Sequence, residues 1–313
     1  MPNRAAFVLE RRGPKRPRDP WEPYGAFMEE EPDGELRRVP VATLLLTNRE
    51  CPFRCVFCDL WKDTLDETVP AGAIAAQIRG ALARLPRADW IKLYNAGSFF
   101  DPRAIPPGEI PAVAALLEPF ERVIVESHPR FVDERVLALR ELLRGRLEVA
   151  IGLETADAAV LARLEKGMTL EDFERAAAFL RSEGIDVRAF VLVQPPYVLP
   201  EDAVGDALRS IAFAEECGAG VCSLLPTRGG NGALEALAEE GRFAPPSLAT
   251  LEEALDRGLS RGGRMRIFAD LWGLESLERC PRCSAARRER LGRMNLAQRI
   301  EPRVACACST SRS

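Results

Sequence analysis

From Val41 onward the chain alternates short apolar runs with longer amphipathic ones, and few folds accept that order. Residues 41–46, 90–93, 123–125, 149–153, 187–193 and 221–225 have the length and apolar content of buried strands. Segments 71–85, 109–118, 133–143, 157–183, 201–217 and 231–240 carry Ala and Leu at three- and four-residue spacing, which predicts helices. Strand–helix alternation at this pitch makes a parallel sheet with right-handed crossovers. In closed or partly closed sheets of that kind the working residues project from loops at the C-terminal strand ends. The chain has 313 residues, enough for one large α/β domain with extensions. The reading divides it into an irregular Arg-, Glu- and Pro-rich extension (1–40), the sheet-and-helix body (41–260) and a Cys- and Arg-rich segment (261–313) that opens on a strand-like run, 266–271.

Directly after the first apolar run stands Cys51-Pro-Phe-Arg-Cys55-Val-Phe-Cys58, three thiols at C-x3-C-x2-C spacing. One short loop can wrap three corners of a cubane iron–sulfur cluster and leave the fourth iron without a protein ligand. Structural zinc asks for four protein ligands, and disulfides for an even count. An open iron can bind a small chelating molecule. This loop, with the aromatic Phe57 before its third thiol, resembles the signature of the radical S-adenosylmethionine (SAM) enzymes. The resemblance implies the partial (β/α)6 TIM-like barrel of that family and a [4Fe-4S] cluster on Cys51, Cys55 and Cys58. It implies SAM on the open iron, with Phe57 beside it, and reductive cleavage to a 5′-deoxyadenosyl radical that abstracts hydrogen from a substrate. An electron donor such as flavodoxin or ferredoxin is implied too.

The later strand ends supply further candidates. Lys92-Leu-Tyr-Asn95-Ala-Gly97-Ser98 stands where the family carries a small-residue turn, often with two glycines and a glutamate, that holds the SAM amino group. Here no glutamate follows, so Asn95, Gly97 and Ser98 are the cofactor candidates. Glu126 and Ser127 are candidates for the SAM ribose or carboxylate. His128, the sole histidine, is a candidate acid or base by its near-neutral pKa. Glu154 ends an apolar strand, where a carboxylate needs a partner, and is the strongest acidic candidate. Lys166 stands out because only four of 43 basic residues are lysine, and an ammonium does chemistry a guanidinium does not. Thr169 reads as a helix N-cap with Asp172 at the third position. Gln194 faces the same opening, and the glycine-rich loop 226–232, with Arg228, suits close approach to a substrate.

Gly152-Leu-Glu-Thr155, Lys166-Gly-Met-Thr-Leu-Glu-Asp-Phe173 and Gln194-Pro-Pro196 are similar to the radical domain of the Elongator catalytic subunit. They are closer to the archaeosine-forming radical SAM lyase, which cleaves a lysine adduct on a 7-deazaguanine base in tRNA. That resemblance implies tRNA-modification chemistry, with a small-metabolite substrate as the enzymatic alternative and a non-catalytic zinc/RNA-binding protein as the other.

The C-terminal segment carries Cys280-x2-Cys283 and Cys306-x-Cys308, two close pairs that read as a zinc knuckle, with an auxiliary iron–sulfur cluster as rival. Cys217 and Cys222 read as buried core thiols. Residues 261–313 carry a net charge of +7 against −11 for the rest, a distribution that suits tRNA. Nine cysteines without a disulfide-scaffold pattern, and no membrane-length apolar run, point to a reducing cytoplasm.

Overall fold

The computed structural model describes residues 4–277, 280–306 and 308. Its body is one eight-stranded sheet whose strands lie in sequence order. They are β1 (Gly25–Pro32), β2 (Arg38–Leu45), β3 (Trp90–Tyr94), β4 (Arg122–Ser127), β5 (Arg146–Glu154), β6 (Asp186–Val193), β7 (Val221–Pro226) and β8 (Arg266–Ala269). From β2 to β8 every pairing is parallel, and β1 runs antiparallel to β2. The helices are α1 (Arg4–Glu10), α2 (Ala73–Arg84), α3 (Ile110–Leu117), α4 (Arg135–Arg140), α5 (Ala158–Arg163), α6 (Leu170–Ser182), α7 (Ala203–Glu216), α8 (Ala233–Glu239), α9 (Leu248–Ser260) and α10 (Ser284–Ala297). The sheet curls into a half-barrel, the expected partial TIM-like form. Segment 157–183 is two helices, α5 and α6. The second opens on Thr169, whose side chain accepts from Asp172 N–H in a capping box.

Strand alternation divides the side chains between two environments. Outward residues such as Leu44, Leu93, Val125, Ile151, Val191 and Leu224 form the main core with Ile74, Ile78, Leu117, Phe173, Leu180, Ile211 and Leu255 of the helices. Many inward residues are polar or charged. Arg188 on β6 donates to Glu148 at 2.6 Å and to Glu31 at 2.7 and 2.9 Å, and Lys92 on β3 reaches Glu31 at 2.5 Å and Glu29 at 2.7 Å. Arg122 joins Glu148 to Asp186. Burial opposes the charge on Glu31, yet Arg188 and Lys92 hold its carboxyl well below the usual carboxylate range.

This network explains β1, which lies in a segment expected to be irregular. Its run of three glutamates has no apolar alternation to read. Two of them, Glu29 and Glu31, instead meet cations on β3 and β6. α10 closes the side between β8 and β1, packing on both. Asn295 accepts from Ala269 N–H and donates to Ala269 C=O, at 2.9 and 2.8 Å. Gln298 does the same for Ile267, at 2.8 and 3.0 Å. Two side-chain amides thus satisfy the free edge of β8, which would otherwise be open to pairing with another chain. Among the described residues no helix is long and apolar enough to cross a membrane.

Arg188→Met leaves Glu31 and Glu148 buried without their guanidinium. We expect a loss of about 3–5 kcal/mol of unfolding free energy, read by urea denaturation.

Candidate active site

The loop after β2 is tied down on three sides. Gln77 of α2 bridges Thr47 N–H and C=O, at 2.9 and 2.8 Å. Glu50 is paired with Arg12, Lys15 and Arg54, and Asp63 with Arg16 and Arg18, so residues 12–18 form a basic strap across the loop. Asn231, from the loop after β7, donates to Val56 C=O at 2.7 Å and to Cys58 C=O at 3.3 Å. Nothing local in the sequence marks Asn231, whose partners lie more than 170 positions away.

Cys51, Cys55 and Cys58 are half-buried in this loop. Burial pushes the Cys51 and Cys55 thiols up and the Cys58 thiol up to about 12, the setting of a dry pocket in which metal must displace protons. Among the described residues the set of Cys, His, Asp or Glu ligand atoms gathered within 4.8 Å of one another is Cys280, Cys283, Cys306 and Cys308. Phe57 turns to an apolar cluster with Val160, Leu164 and Leu192.

The turn after β3 comes next to the loop: a Cβ on Gly97 would stand 3.3 Å from Cys51 Cβ. Glu126 on β4 stands directly behind this turn. Its carboxylate accepts from the amides of Asn95, Ala96 and Gly97, while burial still lifts its pKa to about 7. Those bonds engage it in holding the turn, not in reaching for a ribose. Asn95 is fully buried, and neither polar atom of its side chain has a partner. An orphaned amide beside a cluster loop fits a cofactor with amino and carboxylate groups.

Glu154 and Lys166 form one buried ion pair at 2.5 Å. Burial opposes the ammonium, but Glu154 and then Cys55 outweigh it and raise the Lys166 pKa. Gly152 leaves room for the pair, since a Cβ there would meet Glu154 Oε1 and Lys166 Nζ at 2.2 and 2.3 Å. Glu154 (φ 68°), Gln194 (φ 57°) and Ala96 (φ 50°) hold left-handed backbone at or just past the ends of three strands, strain that gathers at functional sites. Gln194 itself donates to Ala244 C=O at 2.7 Å.

His128 is fully engaged. Its Nδ1 accepts from Arg130 N–H at 3.1 Å, which leaves Nε2–H to donate to Lys166 C=O at 2.8 Å, and its ring stacks on Phe53 at 3.8 Å. Burial, then the Lys166 and Arg130 cations, lower its pKa to about 3. The ring is thus a neutral spacer between the cluster loop and Lys166 and offers no spare lone pair for acid–base work. Ser98 Oγ accepts from His128 N–H at 2.6 Å and stands 3.4 Å from Ser127 Oγ, so these two serines stitch β3 to β4.

The C-terminal thiols converge, with Cys280–Cys306 at 3.9 Å and Cys283–Cys308 at 3.4 Å between sulfurs, and this group can hold a metal ion. Several arginines of the basic segment around them are tied to carboxylates, while Arg282, Arg293 and Arg299 stay exposed. Arg290 is fully buried against Glu252 and Asp256, Arg287 pairs with Glu252, Arg288 with Glu275 and Arg303 with Glu253. Acidic side chains on α9 consume much of the excess charge. Arg279 and Arg312 lie outside the described residues.

The sequence profile of the radical SAM superfamily matches residues 45–208, from the cluster loop through the Lys166 turn into α7. The chain belongs to the radical SAM superfamily. Archaeosine synthase subunit beta of Methanosarcina acetivorans is 26% identical over 260 residues, covering 78% of this chain and 74% of that protein. Its counterpart in Thermococcus kodakarensis is 30% identical over 214 residues, covering 65% and 66%. An uncharacterized protein of Methanocaldococcus jannaschii is 25% identical across 94% of this chain and 87% of its own length. Among solved radical SAM-type folds, methylornithine synthase superposes with a TM-score of 0.55 at 14% identity, covering 85% of this chain and 75% of that one. Methanocaldococcus infernus Elp3, lacking its N-terminus, gives 0.50 at 15% identity, covering 62% and 51%. These two superpositions speak for the fold alone. Membership of the superfamily implies SAM and a [4Fe-4S] cluster, and the loop thiols with the orphaned Asn95 suit both.

Protonating His128 must break its contact with Arg130 N–H. Its folded pKa lies below the ordinary 6.5, so its contribution to stability is complete above pH 6.5 and lost as pH falls toward 3. We expect His128→Gln to flatten the acid-side fall in the urea midpoint of cluster-free protein relative to wild type, by on the order of a few kcal/mol. Gly152→Ala drives a methyl into the Glu154–Lys166 pair and should cost about 1–3 kcal/mol of stability by the same measurement.

Proposed function

We propose that this radical SAM enzyme acts on a modified nucleoside of tRNA. The observation that carries the catalytic part is the triad Cys51, Cys55 and Cys58 in a clamped loop at the C-terminal end of β2, beside the unpartnered Asn95 amide. In this reading the three thiolates hold a [4Fe-4S] cluster, which when bound with SAM supplies reductive cleavage of the sulfonium. Asn95 and the backbone of the turn at Gly97 receive the amino-acid end of SAM, and Glu126 fixes that turn from behind. The Lys166 ammonium offsets negative charge from the nearby thiolates, and Glu154 keeps it charged and aimed. His128 and Phe53 exclude water from the side of the loop facing Lys166. A flavodoxin- or ferredoxin-type donor would supply the reducing electron.

Similarity to two archaeosine synthase beta subunits supports the tRNA substrate, across 78% of the chain in one case. Two sulfur–sulfur distances of 3.4 and 3.9 Å support zinc at the C-terminal group, since Zn–S bonds of about 2.3 Å give tetrahedron edges of roughly 3.8 Å. That ion would pin the start of α10 to the tail. None of the nine cysteines is in a disulfide, in keeping with a reducing cytoplasm.

Anaerobic reconstitution, reduction and addition of SAM with unfractionated tRNA should yield 5′-deoxyadenosine, with about four irons and one zinc per chain. Replacing Cys51, Cys55 and Cys58 together by alanine should remove the iron and the cleavage and keep the zinc. Cleavage retained in that variant sinks the catalytic assignment.

A further inference from the structure

Trp272 is the most exposed large apolar side chain among the described residues, at 56% of its surface. It lies three residues past β8, on the C-terminal face of the barrel, where Asp270 N–H still bonds to Leu224 C=O at 2.8 Å. Its backbone N–H donates to Asp270 Oδ1 at 3.0 Å, and Phe27 of β1 backs the indole at 5.1 Å between centroids. A ring held this way loses little freedom on meeting a partner. Neither β1 nor the turn at 270–277 adds another exposed large apolar side chain, so the surface offers one flat ring and not a protein-docking patch.

Arg228 lies beneath the same turn. Its Nη2 donates to Asp270 Oδ2 at 3.0 Å, whereas Nη1 is buried without a hydrogen-bond partner, against Gly273. The ion pair with Asp270 holds the turn on which the indole is presented. The loop carrying Arg228 also carries Asn231, which bonds to Val56 and Cys58 C=O, and Gly230, whose C=O accepts from Lys62. The indole, Arg228 and the cluster loop therefore share one rim of the barrel mouth.

We propose that Trp272 is the stacking platform for a nucleobase presented at this mouth, with the Arg228–Asp270 ion pair fixing the turn beneath it. An exposed aromatic face held in place is the chemistry by which unstacked bases are stacked and bound. The inference rests on the nucleoside reading above and assigns that substrate's place of entry, next to β1 and β8.

The test is filter binding of unfractionated tRNA to the cluster-loaded, full-length protein across a salt series. Trp272→Ala should weaken binding by about ten-fold or more, and Trp272→Phe should restore most of it, as stacking demands. The slope of log affinity against log salt should stay the same in Trp272→Ala, because stacking releases no counterions. Trp21→Ala removes the other exposed indole and should bind as wild type. Unchanged binding and unchanged KM for tRNA in Trp272→Ala overturn the platform while the tRNA reading stands. An equal loss in Trp21→Ala overturns it as well. Wild type that fails to bind tRNA at low salt overturns the tRNA reading and the platform together.

Discussion

The barrel depends on charge neutralised inside it. Glu31, Lys92, Glu148 and Arg188 are almost fully buried, and each carries a charge that would be expensive alone. Together they compensate one another across β1, β3, β5 and β6, so the lumen can stay polar without water at its base. An apolar lumen packed to the same density would be as stable or more so. The ionic one has a further consequence: it makes β1 a member of the barrel, since Glu29 and Glu31 find their partners only there. β1 then supplies the wall on which Phe27 and Trp272 meet and against which α10 packs.

Above this layer the site is assembled by contacts between loops. The strap at residues 12–18, Gln77 and Asn231 all grip the loop of Cys51, Cys55 and Cys58, and none of them is near it in sequence except through the fold. Three strand-end residues with positive φ turn the chain sharply around the same mouth. The turn at Asn95–Gly97 is held by Glu126 from the neighbouring strand. A parallel register makes that contact natural, because adjacent strand ends arrive side by side.

Seven of the eight strands were legible because buried parallel strands are near-continuous apolar runs, and the helices between them carry an apolar stripe. The thiol loop was legible because a cluster needs its ligands at fixed spacing along one loop. Lys166 stood out by rarity and Glu154 by its place at a strand end, yet nothing in either position said that they would be paired with each other. His128 looked like an acid–base residue from its chemistry alone. Its two ring nitrogens are taken by backbone groups that only the fold brings to it. In the basic C-terminal segment, arginine content alone does not tell which guanidinium faces solvent and which, like Arg290, lies fully buried against two carboxylates.

By itself the sequence determined what is local: the period of the apolar pattern, the capping box at Thr169, the spacing of Cys51, Cys55 and Cys58, and the two close pairs of C-terminal thiols. Tertiary structure decided what is paired across distance. Glu31 and Arg188 lie 157 positions apart, and the choice of such partners depends on how a sheet curls, which no periodicity encodes. Electrostatic and hydrogen-bond satisfaction inside a dry lumen is a property of the closed object. Strand β1, the engaged His128, the orphaned Asn95 amide and the exposed indole of Trp272 all follow from that closure.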